Sequence, residues 1–132
     1  MSNPLDTWAG AFCLTQLVEI PIYLTAARKF PASRRWCFAA GASAITHPVV
    51  WFVFPWEFNH GIQIAPTELP MVWFSFGWES SPYLAVVLAA ETFAILTEAL
   101  WGRLFHVPSP FRWSLLANLS SIAAGLLVRD LW

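Results

Sequence analysis

The chain predicts an all-α, polytopic membrane protein: a four-transmembrane-helix bundle with a long outer loop between helices 2 and 3. Three observations predict it. Hydrophobic residues make up 58% of the 132 residues and charged residues only 11%, against about 45–50% and about 25% in ordinary globular chains. Nine Trp and eleven Phe bring more apolar surface than a water-soluble chain of this size can hide. The apolar residues also fall into four blocks, each close to the roughly 20 residues that carry a helix across the hydrocarbon core. The length predicts one domain, residues 1–132.

The first block spans residues 8–27. Asn3-Pro4 precedes it as a cap followed by a proline at the first helical position, with Asp6 three residues after Asn3. The second spans residues 36–56. The third spans 83–105 and starts behind Ser81-Pro82; the fourth spans 113–131 and starts behind Ser109-Pro110. Trp8, Trp36, Trp56, Tyr83, Trp113 and Trp132 stand at block ends, where interfacial aromatic anchors belong.

Basic residues set the expected orientation. Arg28, Lys29, Arg34 and Arg35 lie in the first connection, Arg103 and Arg112 flank the third, and only Arg129 lies elsewhere. The second connection has no Lys or Arg but carries Glu57, Glu68 and Glu79. The positive-inside rule then places both short connections in the cytoplasm and both termini outside. So one-sided a bias also argues against a dual-topology antiparallel dimer. The N-terminal block does not predict a signal peptide, since it lacks a basic leader and contains Glu19. Cys13 and Cys37 fall at opposite depths and cannot pair within one chain, so both read as small packing residues. In the outer connection, Met71–Trp78 (MVWFSFGW) is too short to cross and reads as interfacial or re-entrant. The net charge of −1 does not suggest nucleic-acid binding.

Five polar residues fall inside the blocks: Glu19, His47, Glu91, Glu98 and Asn118. A charge at the bilayer centre costs about 2.5–3.5 kcal/mol even on the lenient insertion scale, so these groups should face the interior. Counted from the cytoplasmic ends, Glu19, His47 and Glu91 lie about 13, 16 and 18 Å deep, and Glu98 and Asn118 about 7–9 Å. Two layers are therefore expected. Each helix offers one polar face: Gln16, Glu19 and Tyr23; Ser43, His47 and Trp51; Glu91 and Glu98; Ser114, Asn118, Ser121 and Gly125. Pointing all four at a common axis is the economical arrangement. Pro21 and Pro48 sit beside Glu19 and His47, and each should kink its helix and free the carbonyl of Leu17 or Ala44.

Such layers suit three jobs. The first is a proton, metal-cation or small-polar-solute site, since Glu and His are the usual proton carriers in membrane proteins. The second is a transition-metal site held by Glu19, His47 and Glu91, because imidazole with carboxylates suits such ions; the sequence requires no cofactor. The third is a polar network that only fixes helix packing. Enzyme signatures such as HExxH, Gly-x-Ser-x-Gly and a phosphate loop are absent, and Ser43 or Thr46 near His47 is one helical turn's coincidence.

The pieces LVEIPIYL, ITHPVVWFVFP, AETFAILTEAL and LLANLSSIAAGLL resemble stretches of small prokaryotic four-helix membrane proteins that carry no assigned role. The resemblance covers most of the blocks, implies four spans in a prokaryotic cytoplasmic membrane, and transfers no activity. LTQLVEIPIYL does not match the first-helix pattern of the small multidrug transporters. The expected function is thus intramembrane binding or transport of a proton, cation or small polar solute. The alternatives are a non-catalytic subunit of a larger membrane complex and, third, a metal-dependent intramembrane enzyme. The expected partners are the lipid bilayer and either further copies of the chain or a larger assembly.

Overall fold

The computed structural model describes residues 8–53 and 81–130, with side chains described for 8–53 and 86–128. The outer connection with Met71–Trp78, the Asn3-Pro4 start, the anchors Trp56 and Trp132, and the side chains of Ser81 and Tyr83 lie outside the described residues. What is described is all-helical. Helix α1 is Trp8–Ala26, α2 is Ala32–Pro48, α3 is Ser81–Leu104 and α4 is Pro110–Asp130. A π-helical turn, Val49–Val53, continues α2 directly.

Among the described residues, three stretches are long and apolar enough to cross a membrane: Trp8–Ala26, Ala32–Val53 and Pro110–Val128. The nineteen residues of α1 reach about 28 Å at 1.5 Å each, close to the hydrocarbon thickness. The described part of helix α3 carries Glu91, Glu98 and Arg103.

The helices pack in chain order. Contacts join α1 to α2, α2 to α3, α3 to α4, and α4 back to α1. The pairings run antiparallel. Along α1 and α2, Phe12 meets His47, Glu19 meets Ser43 and Tyr23 meets Phe38. Along α2 and α3, Phe38 meets Trp101 and Thr46 meets Glu98.

Burial is inverted relative to a water-soluble bundle. The interior is lined with small residues, among them Ala11, Ala39, Ala42, Ala90, Ala94 and Ala117, together with Glu19, Ser43, Thr46, His47, Glu98, Ser114 and Asn118. The outer surface exposes Leu17, Leu88, Leu96, Leu100, Leu116, Leu119 and Leu127. Such a leucine-rich surface is what a hydrocarbon surround would accept, while small interior residues let the helix backbones approach.

The two short connections meet at one end of the bundle. The Arg34 guanidinium donates to the Phe105 carbonyl at 2.9 Å and lies over the Phe30 ring at 4.7 Å. Helix α3 ends in a Schellman motif: Val107 N–H donates to Gly102 O at 2.9 Å and His106 N–H to Arg103 O at 3.0 Å. His106 takes the left-handed position of that motif, with φ 63°. Val107 is buried beside Ala27 and Phe38.

Two boundaries differ from expectation. Helix α2 begins at Ala32, not near Trp36, so Arg34 and Arg35 sit on its first turns rather than in the connection. The preceding Pro31 accepts the Arg35 N–H through its carbonyl at 2.9 Å, which starts the helix early. Helix α4 begins at Pro110 itself, as the Ser109-Pro110 signal implies and ahead of the expected residue 113. The prolines act unequally. Helix α1 continues through Pro21 without interruption, whereas Pro48 marks the change from α to π geometry. Pro48 has no N–H for the Ala44 carbonyl, and a local π turn is one way to absorb that loss.

Gly102 tests the close approach of α3 to the start of α4. A Cβ at this position would stand 2.9 Å from Pro110 Cβ, a ring atom with little room to yield. Gly102→Val should lower stability in detergent by about 1–3 kcal/mol despite the helix propensity gained. The check is thermal unfolding followed by circular dichroism; an unchanged midpoint would contradict the close packing.

Candidate functional site

Glu98 lies three-quarters of the way along α3, two turns after Glu91 on the same face. Its carboxyl collects donors from each of the other three helices. Oε2 accepts from Tyr23 Oη on α1 at 2.5 Å and from Asn118 Nδ2 on α4 at 2.5 Å. Oε1 accepts from Thr46 Oγ1 on α2 at 2.8 Å. Ser114 Oγ stands 3.5 Å from Oε2 and donates to the Ile95 carbonyl at 2.8 Å. Glu98 is buried, 2% exposed, so these donors replace the water it has lost.

Glu19 forms the second centre. Its Oε1 accepts from Ser121 Oγ on α4 at 2.8 Å, and its Oε2 accepts from Ser43 Oγ on α2. The two centres are joined through α4 and α2. Ser121 Oγ also lies 3.0 Å from the Asn118 carbonyl, and Thr46 Oγ1 lies 3.3 Å from the Ser43 carbonyl. Asn118 Nδ2 reaches back to the Ser114 carbonyl at 3.0 Å.

This polar layer lies between two aromatic clusters. Towards the short connections, Tyr23 packs edge-on to Phe38 at 5.3 Å, and Phe38, Phe105 and Trp101 follow. Trp101 Nε1 fixes that cluster by donating to the Phe38 carbonyl at 3.2 Å. Towards the other end, the His47 ring is surrounded by Phe12 at 5.1 Å, Trp51 at 5.8 Å and Trp8 at 6.2 Å. A cavity of about 130 Å³ lies beside the layer. Glu19, Thr46, His47, Glu91, Glu98, Asn118 and Ser121 supply its polar wall. At roughly 30 Å³ per molecule it has room for about four waters.

Of the five candidate residues, the structure brings Glu98 and Asn118 into direct contact and links Glu19 to them through serine and threonine hydroxyls. Glu91 lines the same cavity, half-buried, and makes no hydrogen bond with its side chain to the described residues. His47 lines it too, but Nε2 has no hydrogen-bond partner among the described residues. The layering therefore differs from expectation. Glu19 joins the network of Glu98, and His47 goes to the aromatic rings instead of a carboxylate. The expected metal trio of Glu19, His47 and Glu91 is not assembled: among the described residues no three His, Cys, Asp or Glu side chains are placed to hold an ion. The aromatic packing of the imidazole is the physical reason.

The hydroxyls were the less legible part. Tyr23, Ser43, Ser114 and Ser121 lie on the polar faces that helical spacing defines, yet nothing in the sequence says which carboxylate each would serve. Thr46 is one residue off the Ser43–His47 face, and its bond to Glu98 has no sequence signal. No protein-family model, curated protein or solved structure matches this chain.

Removing Glu98 would take an acceptor from donors on three helices at once. Each unsatisfied buried donor costs about 1–3 kcal/mol in general and about 0.6 kcal/mol on average between membrane helices, so Glu98→Ala should cost about 2–5 kcal/mol. Ser120→Ala removes an exposed hydroxyl that only returns to its own helix at Leu116 O, and should cost less than about 0.5 kcal/mol. Unfolding in mixed detergent micelles compares the two; equal losses would contradict the central place of Glu98.

Proposed function

We propose that the chain is a four-pass membrane protein that binds a proton at the Glu19–Glu98 site and exchanges it with water in the adjoining cavity. The observation that carries this reading is a charge that is not balanced. Glu19, Glu91 and Glu98 line one cavity, and among the described residues no Lys, Arg or His side chain is bonded to any of them. Neutral hydroxyls and an amide solvate these carboxyls but bring no positive charge. An uncompensated carboxylate in a low-dielectric interior is prohibitively costly, so the compensating charge has to come from a proton or a small cation. The proton is favoured over a transition metal because His47 packs among aromatic rings and, among the described residues, no ligand trio is assembled.

The membrane setting is supported by three helices of spanning length and apolarity and by the leucine-rich outer surface. In this reading α3 is the fourth span. It is carried by the partners that shelter Glu98, in the way polar residues of transport proteins are sheltered by neighbouring helices. Arg28, Lys29, Arg34, Arg35, Arg103 and Arg112 stand at or near the end where the two short connections meet. That end is cytoplasmic by the positive-inside rule, with both termini and the 57–81 connection outside.

Two measurements test the proposal. In proteoliposomes loaded with a pH-sensitive dye, the wild type should pass protons at least tenfold faster than Glu98→Gln, a variant that keeps the side-chain shape. Flux equal to that of empty vesicles, or equal in wild type and variant, would remove the proton reading. For orientation, a Cys13→Ala, Cys37→Ala background with Ser33→Cys or Ser109→Cys should react with a membrane-impermeant maleimide only after the cells are opened. Labelling of intact cells at either position would reverse the topology.

A further inference from the structure

The hydrogen bonds to Glu19 and Glu98 are of two kinds. One oxygen of each carboxyl faces donors that can stay on it: the Tyr23 and Ser43 hydroxyls donate there, and the Asn118 amide has two hydrogens, so it reaches Oε2 and the Ser114 carbonyl together. Tyr23 and Asn118 hold Oε2 of Glu98, and Ser43 holds Oε2 of Glu19. The other oxygen faces a hydroxyl with a second acceptor within reach. Thr46 Oγ1 lies 2.8 Å from Glu98 Oε1 and 3.3 Å from the Ser43 carbonyl. Ser121 Oγ lies 2.8 Å from Glu19 Oε1 and 3.0 Å from the Asn118 carbonyl. A hydroxyl has one hydrogen and two lone pairs, so each of these two cannot serve both acceptors at once.

We propose that Thr46 and Ser121 are hydroxyl switches that let each carboxyl be held equally well with and without a proton. The inference rests on the proton-site reading above and deepens it. With Glu98 charged, Thr46 donates to Oε1. When a hydronium ion in the cavity gives up its proton, an O–H bond forms at Oε1, one O–H bond of the hydronium breaks, and water remains. Thr46 keeps its own hydrogen, turns it to the Ser43 carbonyl, and accepts from the new carboxylic acid. Ser121 does the same for Glu19, turning to the Asn118 carbonyl. Without such a switch the acid proton would point at a donor hydrogen. The fixed donors on Oε2 stay in place throughout, so the carboxyl changes charge without moving.

The groups that face this pair account for the site's behaviour with pH. They are Tyr23 from α1, His47 from α2 and Glu91 from α3; α4 contributes Ser114, Asn118 and Ser121, none of which titrates. Ser114 is a natural control. It stands near Glu98 but spends its hydrogen on the Ile95 carbonyl. Thr46 and Ser121 are positioning residues, and their signature is spectroscopic.

The experiment is infrared difference spectroscopy of the full chain in proteoliposomes, recorded across a pH step with isotope-labelled glutamate. The Glu98 acid band is the carbonyl band that Glu98→Gln removes. It should sit at the frequency of an acid hydrogen-bonded at both oxygens, move up in Thr46→Val as the acid O–H loses its acceptor while Tyr23 and Asn118 still hold the carbonyl oxygen, return in Thr46→Ser, and stay in place in Ser114→Ala. Ser121→Ala should shift the Glu19 band in the same way, which gives a second arm should Thr46→Val fail to fold. A Glu98 band indifferent to Thr46→Val, or shifted as much by Ser114→Ala, would overturn the switch and leave the proton site standing. Absence of any band that Glu98→Gln removes would overturn both.

Discussion

One carboxyl holds the register of the bundle. Glu98 on α3 receives a hydrogen bond from Tyr23 on α1, Thr46 on α2 and Asn118 on α4. In the proposed membrane setting no hydrophobic force chooses one packing over another, because lipid tails are as apolar as leucine. What chooses is directional bonding and close contact. A slip of one residue in any helix would turn its donor away from Glu98 and leave buried polar groups unpaired. The second centre at Glu19 repeats the constraint from α1 toward α2 and α4.

The rest of the structure serves that layer. Small residues bring the backbones close enough for short side chains such as Ser and Thr to reach across. At Gly41 a Cβ would stand 3.0 Å from the Trp101 ring, so α2 and α3 are already in contact there. The aromatic clusters at either side separate the carboxyls from the bundle ends, and the cavity leaves one pocket of room beside them. A carboxyl so surrounded is well solvated by dipoles yet short of positive charge. That combination is what supports the proposed proton site, since a purely structural network would be met as well by amides.

The polar faces of the helices were legible because helical spacing places i, i+4 and i+7 on one side, and lipid tolerates few polar groups anywhere else. Glu98 with Asn118 illustrates this: their similar depths, counted from two different helices, bring them together. Counting depth did less well for His47. It shares a depth with Glu19, but depth says nothing about azimuth, and a ring that meets Phe12, Trp8 and Trp51 has turned from the carboxylates. Thr46 was hidden for a related reason. It lies off the regular polar face, and only the angle at which α2 meets α3 brings it to Glu98. The early start of α2 is not legible from Arg34 and Arg35 as a basic pair, because it takes the fold to bring the Arg34 guanidinium to the Phe105 carbonyl and the Phe30 ring.

The sequence by itself determined that the chain is helical, that its apolar residues form blocks of membrane-spanning length, and that each helix carries one polar face with an ionisable or amide group. These follow from composition and periodicity, which are properties of the chain alone. Which donor meets which oxygen, that Glu19 and Glu98 share one network while His47 stands apart, and that two hydroxyls each have two acceptors were decided only by tertiary structure. Hydrogen bonds form over a few tenths of an ångström and a narrow range of angles, and that precision arises from how four helices pack, not from any one of them.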